Sequence, residues 1–235
     1  MTRTKWIIFA AICVGILGLI YITSKKDTGS SFNGDATKII TQGPIADHVF
    51  GNAAGKVTLI EYADYQCPGC KTIYPVYKAL TEKYKDNLTF VFRNLPLTNI
   101  HPNALAAATA AEAAGLQGKY YEYHDLLYEN QSSWKDATVN DRGSLFDSYA
   151  QQFNLDINKF HSDLTNSQVT NKINRDRSTA STFGATSTPT LVLNGQTVPQ
   201  DTAFDQTKLL QLVNNAYQKA GLTPPAATNT NSPGS

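Results

Sequence analysis

The chain has 235 residues, 41% hydrophobic and 10% aromatic, enough for one domain with appendages and a sizeable core. Twenty Lys and Arg against 19 Asp and Glu leave a formal charge of +1, which argues against a basic nucleic-acid surface and against an acidic disordered tail. Three cysteines are too few for a disulfide scaffold or a four-cysteine zinc site, and the composition excludes collagen-like, low-complexity and multi-span membrane classes.

The N-terminal residues 1–5 include Arg3 and Lys5, and an uncharged apolar run follows from residue 6 to 22. At ~1.5 Å of rise per residue this is the short end of the spanning range. It is longer than the usual core of a cleaved signal peptide, and no A-x-A site follows it. Residues 6–23 therefore read as an uncleaved transmembrane signal anchor and residues 1–5 as cytoplasmic, with cleavage as the alternative. Lysines 25 and 26 after the run leave a weak charge bias that leans toward export of the rest. Cys13 reads as a small apolar residue of this run. Residues 24–46 read as a tether with a lead-in strand around 38–41, residues 47–221 as the folded domain, and residues 222–235 as a disordered tail without core-forming content.

Within the domain, 57–62 is a short β-branched apolar run that reads as a buried strand. Pro68 and an amphipathic stretch to about 84 predict a helix, since proline suits a first turn. A second strand is predicted over 88–93, completing a β-α-β unit. Residues 104–114 hold eight alanines in eleven positions, a strong helix former. Helical spacing continues over 120–128, 142–153, 157–164 and 169–183. Residues 190–193 and 196–198 flank Asn194-Gly195, a strong hairpin signal. A last helix over 205–220 ends at Gly221. The order is β-α-β, a helical block, then β-β-α: an α/β thioredoxin-type core with an all-helical insertion at about 98–183.

Cys67-Pro68-Gly69-Cys70 follows a buried strand and opens a helix. That spacing on a first helical turn brings the sulfurs close enough to bridge. Cys67 then lies at the helix N-terminus, where free N–H groups and the helix dipole favour a thiolate. Cys70 is one turn deeper, so Cys67 is expected to be attacked and Cys70 to resolve. A zinc site would need two more ligands, and His48, His101, His124 and His161 do not supply the spacing. A purely structural bridge over so short a loop would remove little chain entropy. No metal is expected, and no cofactor beyond the redox-active pair itself.

Glu61, six residues before Cys67 and within the predicted buried strand, is a candidate proton relay for Cys70, with its pKa raised by burial. The alternative is a strand-end glutamate in an ion pair. Asp64 is the second carboxylate near enough to tune the pair, and its place three residues before Cys67 suits a loop cap better than a catalyst. Thr188-Pro189 stands at the start of a strand, the place where proline is tolerated. The bond there is either cis, turning the chain, or trans. His101 reads as a cap of the alanine-rich helix and His124, among tyrosines, as structural.

Taken together these features resemble the DsbA-like thiol:disulfide oxidoreductases, in particular the membrane-anchored BdbD-type branch. The resemblance runs from about residue 51 to 220. It rests on Glu61 to Cys70, Phe92 to Leu97, His101 to Ala104, Gln117 to Leu127, Glu129-Asn130-Gln131 with Trp134, Phe183 to Thr190, and Asn194-Gly195. It implies that Pro189 is cis and faces the cysteine pair, that Thr188 offers its backbone to an extended substrate peptide, and that Glu61 is the buried carboxylate beneath the pair. Gly69 departs from the pattern, because many relatives carry His or Tyr there and a His helps stabilise the thiolate. The implied activity is oxidation of reduced exported proteins by a domain on the extracytoplasmic side of the cell membrane. The implied partner is a membrane quinone reductase of the DsbB or VKOR type. A reductase or isomerase of the same fold is the nearest rival, though residues 24–46 are too short for an isomerase's dimerisation domain. A peptide-binding module without turnover is the rival of another class.

Overall fold

A computed structural model describes residues 35, 37–41 and 43–226. The proposed anchor at 6–23, the tether to residue 34 and residues 227–235 of the tail lie outside the described residues. Among the described residues, no helix is long and apolar enough to cross a membrane.

In chain order the elements are β1 (Val49–Gly51), β2 (Val57–Ala63), α1 (Pro68–Tyr84), β3 (Leu88–Asn94), α2 (Ala104–Gly115), α3 (Tyr120–Glu129) and α4 (Gln131–Trp134). There follow α5 (Val139–Gln152), α6 (Ile157–Leu164), α7 (Ser167–Thr182), β4 (Thr190–Leu193), β5 (Gln196–Thr197), α8 (Gln200–Ala203) and α9 (Gln206–Lys219). The sheet order is β1-β3-β2-β4-β5. The central pair β2 and β3 is parallel, and the other pairings are antiparallel. This is the thioredoxin arrangement with the helical insertion α2–α7 between β3 and β4.

Strand alternation decides what lies under the cysteine pair. Successive side chains of β2 point to opposite faces. Val57, Leu59 and Ala63 pack with α1, α2, α3 and α9 in the large core, while Ile60 and Tyr62 join Val91, Ala180 and Val192 on the other face. Glu61 therefore falls on the α1 face, between Leu59 and Ala63. Burying all these apolar chains, at about 25 cal/mol per Å² of apolar surface, holds the carboxylate in place despite its cost.

The lead-in strand expected at 38–41 does not form. Those residues run as turn and coil, and the edge strand is β1. The reason is a local closure: Ile40 N–H donates to the Asp47 carboxylate at 2.8 Å and Asp47 N–H to the Ile40 carbonyl at 2.7 Å. The Lys38 carbonyl accepts from Arg93 at 2.7 Å. Groups that would pair in a sheet are already taken. At the other end, Leu222, assigned to the tail, packs against the core, and its N–H donates to the Tyr217 carbonyl.

Candidate active site

Cys67 is the N-cap of α1 in extended conformation, and Pro68 opens the helix. Both cysteines are thiols in this structure. Cys67 reaches the surface with 9% of its area, whereas Cys70 is fully buried one turn on. Their protonation is pushed apart. The Cys67 pKa is lowered from 9.0 to about 5, first by the hydrogen bond that the Cys70 thiol donates to it, against the opposing effect of burial. The Thr188 hydroxyl and the backbone N–H groups of Cys70 and Gly69 add to the lowering. Cys70 is raised well above the ordinary thiol range, first by burial and then by giving its hydrogen bond to Cys67. The helix terminus thus stabilises the thiolate without a histidine at position 69. A Cβ at Gly69 would come within 3.4 Å of the Phe204 ring, which stands beside Cys67.

The Thr188–Pro189 bond is cis. The Thr188 carbonyl lies 3.4 Å from Cys67 Sγ, close enough to accept from the thiol. Glu61 is 4% exposed, and among the described residues no hydrogen bond to its carboxyl is found. Burial, and then the nearby Cys67 charge, lift its pKa from 4.5 to about 8. At neutral pH it is a carboxylic acid.

Asp64 holds the loop. Its Oδ1 accepts from Gln66 N–H at 2.7 Å, and its Oδ2 accepts from Leu97 N–H at 2.8 Å and meets His101 Nδ1 at 2.7 Å. It reaches Cys70 only through its backbone N–H. Every carboxylate contact of Asp64 is thus made to the loop backbone or to His101. His101 is not the helix cap, which is Asn103.

Two buried amides escaped sequence reasoning. Gln131 Nε2 donates to the carbonyls of Tyr65 at 2.7 Å and Cys67 at 3.0 Å. The Asn103 side chain accepts nothing from its own helix; its Nδ2 lies within hydrogen-bond distance of the carbonyls of Trp134, Lys135 and Ala137, and its N–H donates to Gln66 Oε1. The helical insertion is thereby tied to the cysteine loop. Gln131 stood within a run that carried the resemblance, which was the only signal in the sequence.

A thioredoxin family model matches residues 44–214, and the chain belongs to that family. Its structural neighbours are DsbA-like thiol–disulfide oxidoreductases. A thioredoxin-like oxidoreductase from Silicibacter pomeroyi DSS-3 is 26% identical with a TM-score of 0.60, covering 82% of this chain and 98% of that one. BdbD from Bacillus subtilis, in its oxidised form, is 19% identical with a TM-score of 0.63, covering 72% and 92%. Alpha-DsbA1 of Wolbachia pipientis is 22% identical with a TM-score of 0.63, covering 76% and 94%. Among curated proteins, the Na(+)/H(+) antiporter NhaA 3 of Salinispora tropica is 37% identical over 153 residues, 65% of this chain and 22% of that protein. NhaA 1 of Mycolicibacterium gilvum is 33% identical over 157 residues, 65% of this chain and 24% of that protein. The chain spans under a quarter of these antiporters' length, so their ion exchange is not carried over to it.

Proposed function

We propose that the chain is a thiol:disulfide oxidase that introduces disulfide bonds into exported proteins through Cys67 and Cys70. The observation that carries this reading is the opposite treatment of two sulfurs one turn apart, one favoured as thiolate and the other as thiol. The resting form is the Cys67–Cys70 disulfide. A client thiolate attacks Cys67 Sγ, the S–S bond breaks, and its electron pair leaves on Cys70, which takes a proton from Glu61. A second client thiolate then attacks the client sulfur of the mixed disulfide. The client disulfide forms, and Cys67 departs as a stabilised thiolate. The client loses two electrons and the pair gains them, ending as the dithiol.

Thr188 and Pro189 border Cys67 and supply the backbone edge against which an extended client segment lies. Return to the disulfide needs an acceptor of two electrons, a membrane quinone reductase of the DsbB or VKOR type. The uncharged run at 6–23 supports a single-pass anchor in the cell membrane with the domain on the extracytoplasmic side. The balanced charge supports protein rather than nucleic-acid clients.

The test is the reduction potential of the full chain in detergent, equilibrated in glutathione buffers. A value near about −120 mV, the DsbA end of the scale, supports the oxidase. A value near about −270 mV, where thioredoxin lies, overturns it in favour of a reductase.

A further inference from the structure

Glu61 and His124 line one cavity of ≈ 40 Å³ that opens between α1 and α3, with Lys78 and Asp125 also on its wall. A water needs roughly 10–15 Å³ and at least two polar partners. The two inner side chains are complementary in what they lack. Glu61 is a buried carboxyl with no hydrogen bond among the described residues. His124 is 5% exposed, its Nδ1 lies 2.9 Å from Asp125 Oδ1, and its Nε2 is buried without a partner. With Nδ1–H given to the Asp125 carboxylate, a neutral ring presents a bare lone pair at Nε2. An acid without an acceptor and a base without a donor thus share one small cavity whose remaining wall is largely aromatic.

We propose that a water in this cavity joins Glu61 to His124, and that His124 with Asp125 is the route by which Glu61 exchanges its proton with solvent. The proposal rests on the reading of Glu61 as the group that serves Cys70. During reoxidation, Cys70 must lose its proton to attack the mixed disulfide on Cys67. Its proton goes to the Glu61 carboxylate, whose own proton has passed through the water to His124 Nε2. Burial, and to a lesser degree Lys78, keep the His124 pKa below its ordinary value despite Asp125, so the imidazolium is a passing species; Asp125 is part-exposed and bridged to Lys78 at 2.7 Å. The proton leaves from there to solvent, and no electrons move in this relay. His124 acts through Glu61 and is a positioning residue of the site.

The groups around the relay fix its behaviour with pH. From α1, Tyr74 and Lys78 face His124; from the loop before α1, Tyr65 does; from its own helix, Asp125 and the tyrosines 120, 121 and 128. Burial raises every one of these tyrosines, so they stay neutral, and Lys78 and Asp125 are the charges that His124 meets. Around Glu61 the titratable neighbours are Cys67 at the N-cap of α1, Cys70 and Tyr77 of α1, Tyr65 of the loop before it, and Tyr121 and Tyr128 of α3.

The test uses the full chain in detergent, with Cys67 first joined to glutathione, and follows glutathione release by Cys70 between about pH 5 and pH 9. Glu61→Gln, His124→Phe, Asp125→Asn and the double variant Glu61→Gln/His124→Phe are compared. His124→Phe is expected to slow release about tenfold and to flatten the pH profile, less than the ~10²–10⁴-fold of direct acid–base assistance because His124 acts at one remove through Glu61. Asp125→Asn, which leaves the ring in place, is expected to slow it in the same pH-dependent way. The double variant should be no slower than Glu61→Gln, because the two act in series. The proposal is overturned if Glu61→Gln slows release while His124→Phe and Asp125→Asn match the wild type, or if the effects multiply. If Glu61→Gln itself leaves the rate unchanged, it is the underlying reading of Glu61 that fails.

Discussion

Thr188 shows how a single side chain is given a task by what surrounds it. Its hydroxyl is buried with no fixed hydrogen-bond partner, and donation to the Cys67 thiolate is the use that would lower the Cys67 pKa. Thr188→Val keeps the shape and removes the donor. The Cys67 pKa, lowered to about 5 in the wild type, should then rise, and alkylation by iodoacetamide should need higher pH to reach half its maximal rate. An unmoved titration would show that Cys70 and the helix terminus suffice. Glu61 gives a second prediction at this scale. Its folded pKa of about 8 lies above the ordinary 4.5, so its contribution to stability is full below pH 4.5 and is lost as the pH rises through 8. Glu61→Gln cannot titrate. Its denaturant midpoint should gain on that of the wild type across this window, and parallel curves would refute the raised value. The position of Glu61 was legible from its place in an apolar strand, but the role of His124 was not, because its cavity is closed by residues from two helices and three strands.

Between elements, the ties are amides. Gln131 is 64 residues from the Cys67 carbonyl it meets, and Asn103 is over 30 residues from the three carbonyls it joins. Such partners leave no local pattern, which is why the β-α-β unit, the alanine-rich helix and the hairpin could be read from the sequence and these ties could not. The four-residue helices α4 and α8 were equally hidden, being too short for periodicity to register. Gln131→Leu preserves bulk and strips two buried carbonyls of a donor. A loss of about 1–3 kcal/mol is expected in urea unfolding. The Cys67 thiolate should also titrate differently, since the carbonyl of its own residue is released. A stability loss with an unchanged thiolate titration would limit Gln131 to holding the insertion.

The whole molecule is organised around a second buried polar centre, where β3 ends. Lys172 on α7 is fully buried, at 2.7 Å from Asp176, 3.5 Å from Asp47 and 3.7 Å from Glu112. Arg93 on β3 meets Asp47 at 2.8 Å, and Asn94 Nδ2 donates to Glu112 at 2.7 Å. The segment before β1, the central sheet, α2 and α7 are thus joined through one set of charges. No apolar pattern marks such a set, so only the fold could bring it together. Burial pushes Asp47 and Glu112 up, but Lys172, aided by Arg93 at Asp47 and by His48 at Glu112, overcomes it and holds both below the ordinary carboxylate range. Carboxylates lowered in this way contribute stability above their unfolded values of 3.8 and 4.5, and that stability is lost as the pH falls through their folded values. Asp176 has the opposite sign, since burial outweighs Lys172 and raises it. Lys172→Met fills the same space and leaves the three carboxylates without their shared cation. Breaking a buried pair from one side costs about 3–5 kcal/mol. The variant should unfold at lower denaturant at neutral pH, and its deficit should shrink on acidification as the carboxylates protonate. A deficit independent of pH would mean that Lys172 matters for packing rather than for charge.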